Sequence, residues 1–209
     1  MIPDDGSLTG AAPRRPLLAG PEGHVCPWWI GALLCCPVRK LVEPPGRLLG
    51  PHVRPGMTVL EPGCGMGFFS LPLARMVGPQ GKVVCVDLQP KMIEGLRRRA
   101  RRAGLSDRVE ASVCTGADLG VERHAGRFDL AVAVHMLHEV ARPEAFLAQV
   151  FAALRPGGSL LVLEPRGHVS REALEASLAL AETTGFVASP GRAARRELSA
   201  LLRKPEEAS

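Results

Sequence analysis

From Met57 onward the chain alternates short, nearly all-apolar runs with stretches in which apolar residues recur every three or four positions. "MTVLE", "GKVVCVD", "RVEASV", "FDLAVAV" and "SLLVLEP" have the length of strands. Their Val, Leu and Ala content, with little polar alternation, is that of strands covered on both faces. Helical spacing fills the gaps: roughly Phe68 to Val77, Pro90 to Ala103, "PEAFLAQVFAALRPGG" with a glycine stop, and "REALEASLALAETTG" ending at Gly185. "FVAS" and "ELSALLRK" are weaker strand candidates with no helix between them, which permits a terminal antiparallel hairpin. The pattern predicts an α/β fold: a doubly wound, mostly parallel seven-stranded sheet with helices on both faces and an antiparallel last strand.

Upstream the periodicity is lost. Residues 1–22 are rich in Pro, Gly and small residues and read as a disordered leader. Between Val25 and Gly50 the chain is apolar but cut by Pro27, Pro37, Pro44 and Pro45. A proline opens a helix but does not sit inside one, so residues 23–55 are expected to form a cap of two or three short helices. Residues 56–205 are left as the main domain, which suits a chain of 209 residues.

Composition excludes some classes. With 46% hydrophobic and 22% charged residues, a wholly disordered chain is ruled out. No apolar run reaches the roughly 18 residues of a membrane-spanning helix, and Asp4 and Asp5 stand where a signal peptide would be basic. No membrane span and a cytoplasmic location are expected. The six cysteines, at 26, 35, 36, 64, 85 and 114, have no CxxC spacing, which points to reduced thiols and to no metal site. The net charge of +5 is concentrated in "RRRARR" at 97 to 102. That cluster is either a nucleic-acid footprint or a solvated helix face; no aromatic residue interleaves it to stack bases, and no nucleic-acid partner is expected.

The chemistry begins after the first strand, in "VLEPGCGMGFFS". In an open parallel sheet this turn borders the ligand crevice, and Gly63, Gly65 and Gly67 let the backbone approach a ligand without Cβ interference. A dinucleotide loop would be GxGxxG, but here Phe68 stands where its third glycine would be. Glu61, two residues before the loop, would repel a pyrophosphate and attract an ammonium group. Asp87 ends the second strand, 20 residues after Gly67, where a carboxylate accepts hydrogen bonds from both hydroxyls of a ribose. Together they describe a site for an adenosine carrying a cationic tail, and a nicotinamide oxidoreductase is disfavoured.

Here the sequence resembles the class I S-adenosylmethionine-dependent methyltransferases of the small-molecule type. "VLEPGCGMG" is similar to their first motif, "VVCVDLQPKMIEGLRRRA" to the second, "FDLAVAVHMLHEV" to the fourth and "LRPGGSLLVLEP" to the segment through the fifth strand. The resemblance implies S-adenosylmethionine as methyl donor, with Glu61, Gly63, Cys64, Gly65 and Gly67 around its methionine end, Asp87 on the ribose and Leu88 beside the adenine. Relatives carry an acidic residue after the third strand on the adenine amino group, and Asp118 is the candidate for it. The resemblance also implies that "ELSALLRK" runs antiparallel between the fifth and sixth strands.

A sulfonium methyl is already activated, so the protein has to align the acceptor and, where that acceptor is protic, take its proton. His135, His138 and Glu139, in "HMLHEV" after the fourth strand, are the catalytic candidates; a histidine titrates in the working range and a neighbouring carboxylate can orient it. Either imidazole could instead bond the backbone and pack. Glu164 and His168 are further pocket candidates. Trp28 and Trp29 serve either as a lid over the acceptor or as packing, and the cysteines leave a thiol or arsenite acceptor open. The function expected is methyl transfer to a small-molecule acceptor; the alternatives are an RNA-directed methyltransferase and a non-catalytic S-adenosylmethionine-binding protein.

Overall fold

The computed structural model describes residues 39, 43–190 and 197–206. In chain order they form α1 (Pro45–Leu49), β1 (Thr58–Pro62), α2 (Ser70–Met76), β2 (Lys82–Asp87), α3 (Pro90–Arg102) and β3 (Val109–Val113). There follow β4 (Phe128–Val134), α4 (Pro143–Ala153), β5 (Leu154–Pro165), α5 (Arg171–Thr183), β6 (Val187–Pro190) and β7 (Glu197–Arg203). Short 3₁₀ turns lie at Glu122–His124 and Leu137–Glu139. The leader at 1–22, Trp28, Trp29 and the cysteines at 26, 35 and 36 lie outside the described residues.

The seven strands make one sheet in the order β3-β2-β1-β4-β5-β7-β6. β1 to β5 pair in parallel, and β7 runs antiparallel between β5 and β6, as expected. The absence of polar alternation now has its cause. Val59, Val83, Leu130, Val132 and Leu161 face one core cluster, while their neighbours Leu60, Val84, Ala131, Ala133 and Leu160 face the other. α2 and α3 close the first cluster with Leu73, Ile93 and Leu96; α4 and α5 close the second with Phe146, Leu147 and Leu174. Both faces of the central strands are therefore dry, while the edge strand β3 buries only Ala111.

The helix starts follow local chemistry. Pro90 and Pro143 open α3 and α4, where a missing N–H costs nothing, and Ser170 Oγ caps α5 by accepting from the Ala173 N–H at 3.1 Å. Two boundaries differ from the sequence reading. α2 begins at Ser70 rather than Phe68, because the left-handed turn at Gly67 delays it. α4 stops at Ala153, not at the glycines, and β5 starts at once: Leu154 is fully buried opposite Phe128, and Arg155 precedes Pro156, which disfavours helical backbone. Chain order along the sheet reverses between the adjacent strands β1 and β4, so the crevice for a ligand lies at their carboxyl ends.

Candidate active site

At the end of β1 the chain turns through Gly63, Gly65 and Gly67, with φ of +66°, +53° and +83°. The last two do different work. A Cβ on Gly67 would run into the Leu96 side chain of α3, whereas a Cβ on Gly65 would meet nothing within 4 Å. Gly67 is thus demanded by packing, and Gly65 keeps an open face. The loop is tied to its neighbours: the Gly63 N–H donates to Val86 O at 2.8 Å, the Gly65 N–H to Asp87 Oδ2 at 2.9 Å, and Arg99 to Met66 O.

Two carboxylates flank this loop. Asp87 is 7% exposed, and its second oxygen accepts from the Gln89 N–H at 2.9 Å. Burial raises its pKa while the two backbone donors oppose that, and each oxygen keeps a lone pair for a further donor. Glu61 is 4% exposed and accepts from Cys85 Sγ at 3.5 Å. Burial raises its pKa to about 7; the Asp87 charge acts the same way, and the Ser70 hydroxyl and Cys85 thiol act against it. The Ser70 hydroxyl does so from nearby, without a hydrogen bond of good geometry. Among the described residues no cationic side chain pairs with Glu61.

The remaining residues read as cofactor candidates are placed differently. Cys64 turns its side chain into the core, where burial lifts its thiol well above the usual range, so the loop surface has only its backbone. Leu88 packs half-buried after Asp87. Asp118 accepts from the Gly120 N–H at 2.9 Å and shapes its own turn. Gln149 of α4 holds this turn, accepting from the Leu119 N–H at 2.8 Å and donating to Ala117 O at 3.1 Å. Nothing in the sequence singles out Gln149.

The three catalytic candidates part company at the end of β4. His135 has φ of +54°, the only non-glycine residue among those described in the left-handed region. Its N–H donates to Leu163 O at 2.7 Å, its ring stands edge-on to Phe69, and its Nδ1 lies 3.4 Å from Arg39 Nη2. Arg39 in turn lies 4.5 Å over the Phe68 ring and pairs with Glu43 at 2.8 Å. His138 points to β5: its Nδ1 is 2.7 Å from Glu164 Oε2, and its N–H donates to Glu164 Oε1 at 3.1 Å. Glu139 is 3.9 Å from the other ring nitrogen. The carboxylate that orients His138 is therefore Glu164, whose side chain is 2% exposed, and not the adjacent Glu139, at 43%.

The hydrogen bond from Glu164 raises the His138 pKa above its ordinary value; partial burial opposes this, and the Glu164 and Glu139 charges reinforce it. Burial raises the Glu139 carboxyl, as do the Glu164 and Asp87 charges, against the pull of His138 and His168. Chemically, the β1–β2 side can hold a cation at Glu61, hydroxyls at Asp87 and a closely approaching ligand at Gly65. The β4–β5 side can hold or move a proton. Among the described residues, no group of three or more His, Cys, Asp or Glu side chains is arranged to hold a metal ion.

Residues 54–195 match the model of a family described as "Methyltransferase domain". The chain belongs to this methyltransferase family. It is 32% identical over 120 residues to a demethylmenaquinone methyltransferase of Symbiobacterium thermophilum, a match covering 57% of this chain and 47% of that one. It is 35% identical over 112 residues to a ubiquinone/menaquinone biosynthesis C-methyltransferase of Salmonella arizonae, covering 54% and 44%. The matched part of the chain thus spans less than half the length of these curated relatives. The crystal structure of a SAM-dependent methyltransferase from Aquifex aeolicus shares the fold, with a TM-score of 0.75 at 22% identity, covering 85% of this chain and 98% of that one. The fold is accordingly the class I one that its motifs resemble.

Proposed function

We propose that the methyltransferase moves a methyl group from S-adenosylmethionine to a small-molecule acceptor. The observation that carries this reading is Glu61: a buried carboxylate without a cationic partner among the described residues, beside a glycine loop that is hydrogen-bonded to Asp87. A buried charge asks for a partner, and the ammonium of the donor's amino-acid end supplies one. Gly63, the Cys64 backbone, Gly65 and Gly67 would surround that end, Asp87 would accept from the ribose hydroxyls, and Leu88 and the turn at Asp118 would border the adenine. Bound there, the donor would supply a methyl already activated on a sulfonium, and the chain's own part would be to align the acceptor with it. His138 takes the proton of a protic acceptor, held in register by Glu164.

The two curated relatives are named for demethylmenaquinone and for ubiquinone/menaquinone biosynthesis, which puts quinols in the acceptor panel beside thiols, amines and arsenite. The domain division stands within the proposal: a cap over residues 23–55 and a donor-binding domain over 56–205, supported by Arg39 lying on Phe68 next to the glycine loop. No helix of the described residues is long and apolar enough to cross a membrane, and Cys64, Cys85 and Cys114 are free thiols, which supports a cytoplasmic enzyme. An RNA-directed reading is less favoured, because Arg97 and Arg99 are engaged with Ala111 O and Met66 O inside the domain.

Calorimetric titration with S-adenosylmethionine and with NADH tests the reading. Tight NADH binding with no response to S-adenosylmethionine overturns it. Release of S-adenosylhomocysteine across the acceptor panel then separates an enzyme from a protein that only binds the donor.

A further inference from the structure

A small polar cluster is buried behind the glycine loop. In the parallel pairing of β1 with β2, Glu61 stands opposite Cys85, so the two side chains leave the sheet on the same face. Ser70, the first residue of α2, reaches the same place: a Cβ on Gly67 would sit 3.3 Å from its hydroxyl. Ser70 and Cys85 are 0% exposed, whereas Glu61 keeps 4%. One carboxylate oxygen of Glu61, Oε2, accepts from Cys85 Sγ at 3.5 Å. The other, Oε1, has no hydrogen-bond partner among the described residues and is not sealed from solvent, as the Ser70 hydroxyl is. The groups that bear on Glu61 are Ser70 of α2 and Cys85 and Asp87 of β2, with Cys64 of the loop bearing on Cys85 in turn, and none of them is a cation. Burial raises the pKa of both thiols, so they stay protonated and serve as donors.

We propose that Cys85 and Ser70 are positioning residues for the donor: from behind, their S–H and O–H hold Glu61 as a carboxylate and leave Oε1 turned to the crevice for the donor's ammonium. The proposal rests on the methyl-transfer reading above. A carboxylate buried without a cation is driven to take up a proton, and here burial and the Asp87 charge both push that way. A carboxylic acid offers an ammonium no charge. Hydrogen bonds to the charged form oppose the uptake, and Ser70 and Cys85 supply them. Both are neutral. A lysine or arginine in their place would also hold the carboxylate, but it would take the position that the ligand's cation fills. A buried cysteine is ordinarily a small apolar filler, whereas the sulfur of Cys85 faces a carboxylate. The Ser70 hydroxyl is the reserve donor: fully buried and without a partner of good geometry, it turns its proton to Glu61 when that group ionises on binding the donor. Neither residue touches the donor, and both act through Glu61.

The experiment titrates the full chain with S-adenosylmethionine in a calorimeter between about pH 6 and pH 9, for the wild type, Cys85→Ala, Ser70→Ala and Cys85→Ser. What is read is the ratio of each variant's Kd to that of the wild type at the same pH. The ratio cancels the titration of the donor's own α-amino group, near about 8. Loss of one hydrogen bond to the charged form raises the pH at which Glu61 ionises by about half to one unit. Cys85→Ala and Ser70→Ala are therefore expected to bind about three- to tenfold more weakly at pH 6 and to approach a ratio of about one at pH 9. A residue that only packs weakens binding by the same factor at every pH. Cys85→Ser keeps a donor and is expected to stay within about twofold of the wild type throughout. Ratios that do not change with pH in the alanine variants, or a Cys85→Ser that binds about threefold or more weakly at pH 6, overturn the proposal. Should Cys85→Ala not fold, Ser70→Ala and Cys85→Ser decide it by the same two criteria. A wild-type chain that binds no S-adenosylmethionine at any pH overturns the methyl-transfer reading instead, so the two failures are distinct.

Discussion

His138 Nδ1 stands 2.7 Å from Glu164 Oε2 while the His138 N–H donates to Glu164 Oε1 at 3.1 Å. One buried carboxylate thus fixes both the backbone and the ring of a residue 26 positions away. The ring nitrogen left over is the one that can meet an acceptor.

If His138 is the base, His138→Ala lowers turnover by roughly 10² to 10⁴, the usual contribution of general-base catalysis. In the wild type, activity rises with pH through a value above the ordinary histidine pKa, because Glu164 favours the imidazolium and the base is freed late. The same shift makes the charged ring's stabilising contribution complete below the ordinary value and lost as pH climbs through the raised one. A loss below about threefold on a known acceptor removes His138 from the mechanism.

Glu61 gives stability a pH dependence of opposite origin. Burial lifts its pKa from an ordinary 4.5 to about 7 in the fold, so the fold binds the extra proton between these values. Its contribution is full below 4.5 and falls by about 3 kcal/mol as pH rises through 7. Glu61→Gln flattens this limb in denaturant titrations and abolishes tight S-adenosylmethionine binding. At pH 6 the wild type releases a proton on binding the donor, read as a buffer-dependent enthalpy.

Asp87 serves the loop and the ligand together. Asp87→Ala removes the acceptor of the Gly65 N–H and the proposed ribose contact, and is expected to raise the Kd for S-adenosylmethionine by about 10- to 100-fold. An unchanged Kd in calorimetry refutes both roles.

Gly67→Ala and Gly65→Ala separate packing from access. The first places a Cβ against Leu96 at a left-handed position and costs about 2 to 4 kcal/mol in thermal or chemical unfolding. The second meets nothing within 4 Å, costs about 1 kcal/mol in stability and weakens donor binding.

Replacing the exposed Arg98, Arg101 and Arg102 by Gln leaves stability within about 0.5 kcal/mol and small-molecule turnover unchanged. Salt-sensitive RNA binding that vanishes in this variant would instead revive an RNA-directed role.

The architecture was legible because burial on both faces writes itself as unbroken apolar runs, and because Gly63, Gly65, Gly67 and Asp87 lie at spacings that successive strands impose. The helix-to-strand boundary at Leu154 was not, since it depends on which residue lies opposite Phe128 in the next strand. Gln149 left no signal, as its partners are backbone atoms of a turn some 30 residues away.

By itself the sequence determined the alternation of strands and helices, the glycine loop and the two carboxylates beside it. These rest on local spacing, which φ restrictions and side-chain period translate directly into geometry. Only the tertiary structure decided that Glu164 rather than Glu139 orients His138, and that Cys64 faces the core. Such choices depend on the pairing of β4 with β5 and on how a buried carboxylate finds its donors, and both exist only once the sheet has closed its core.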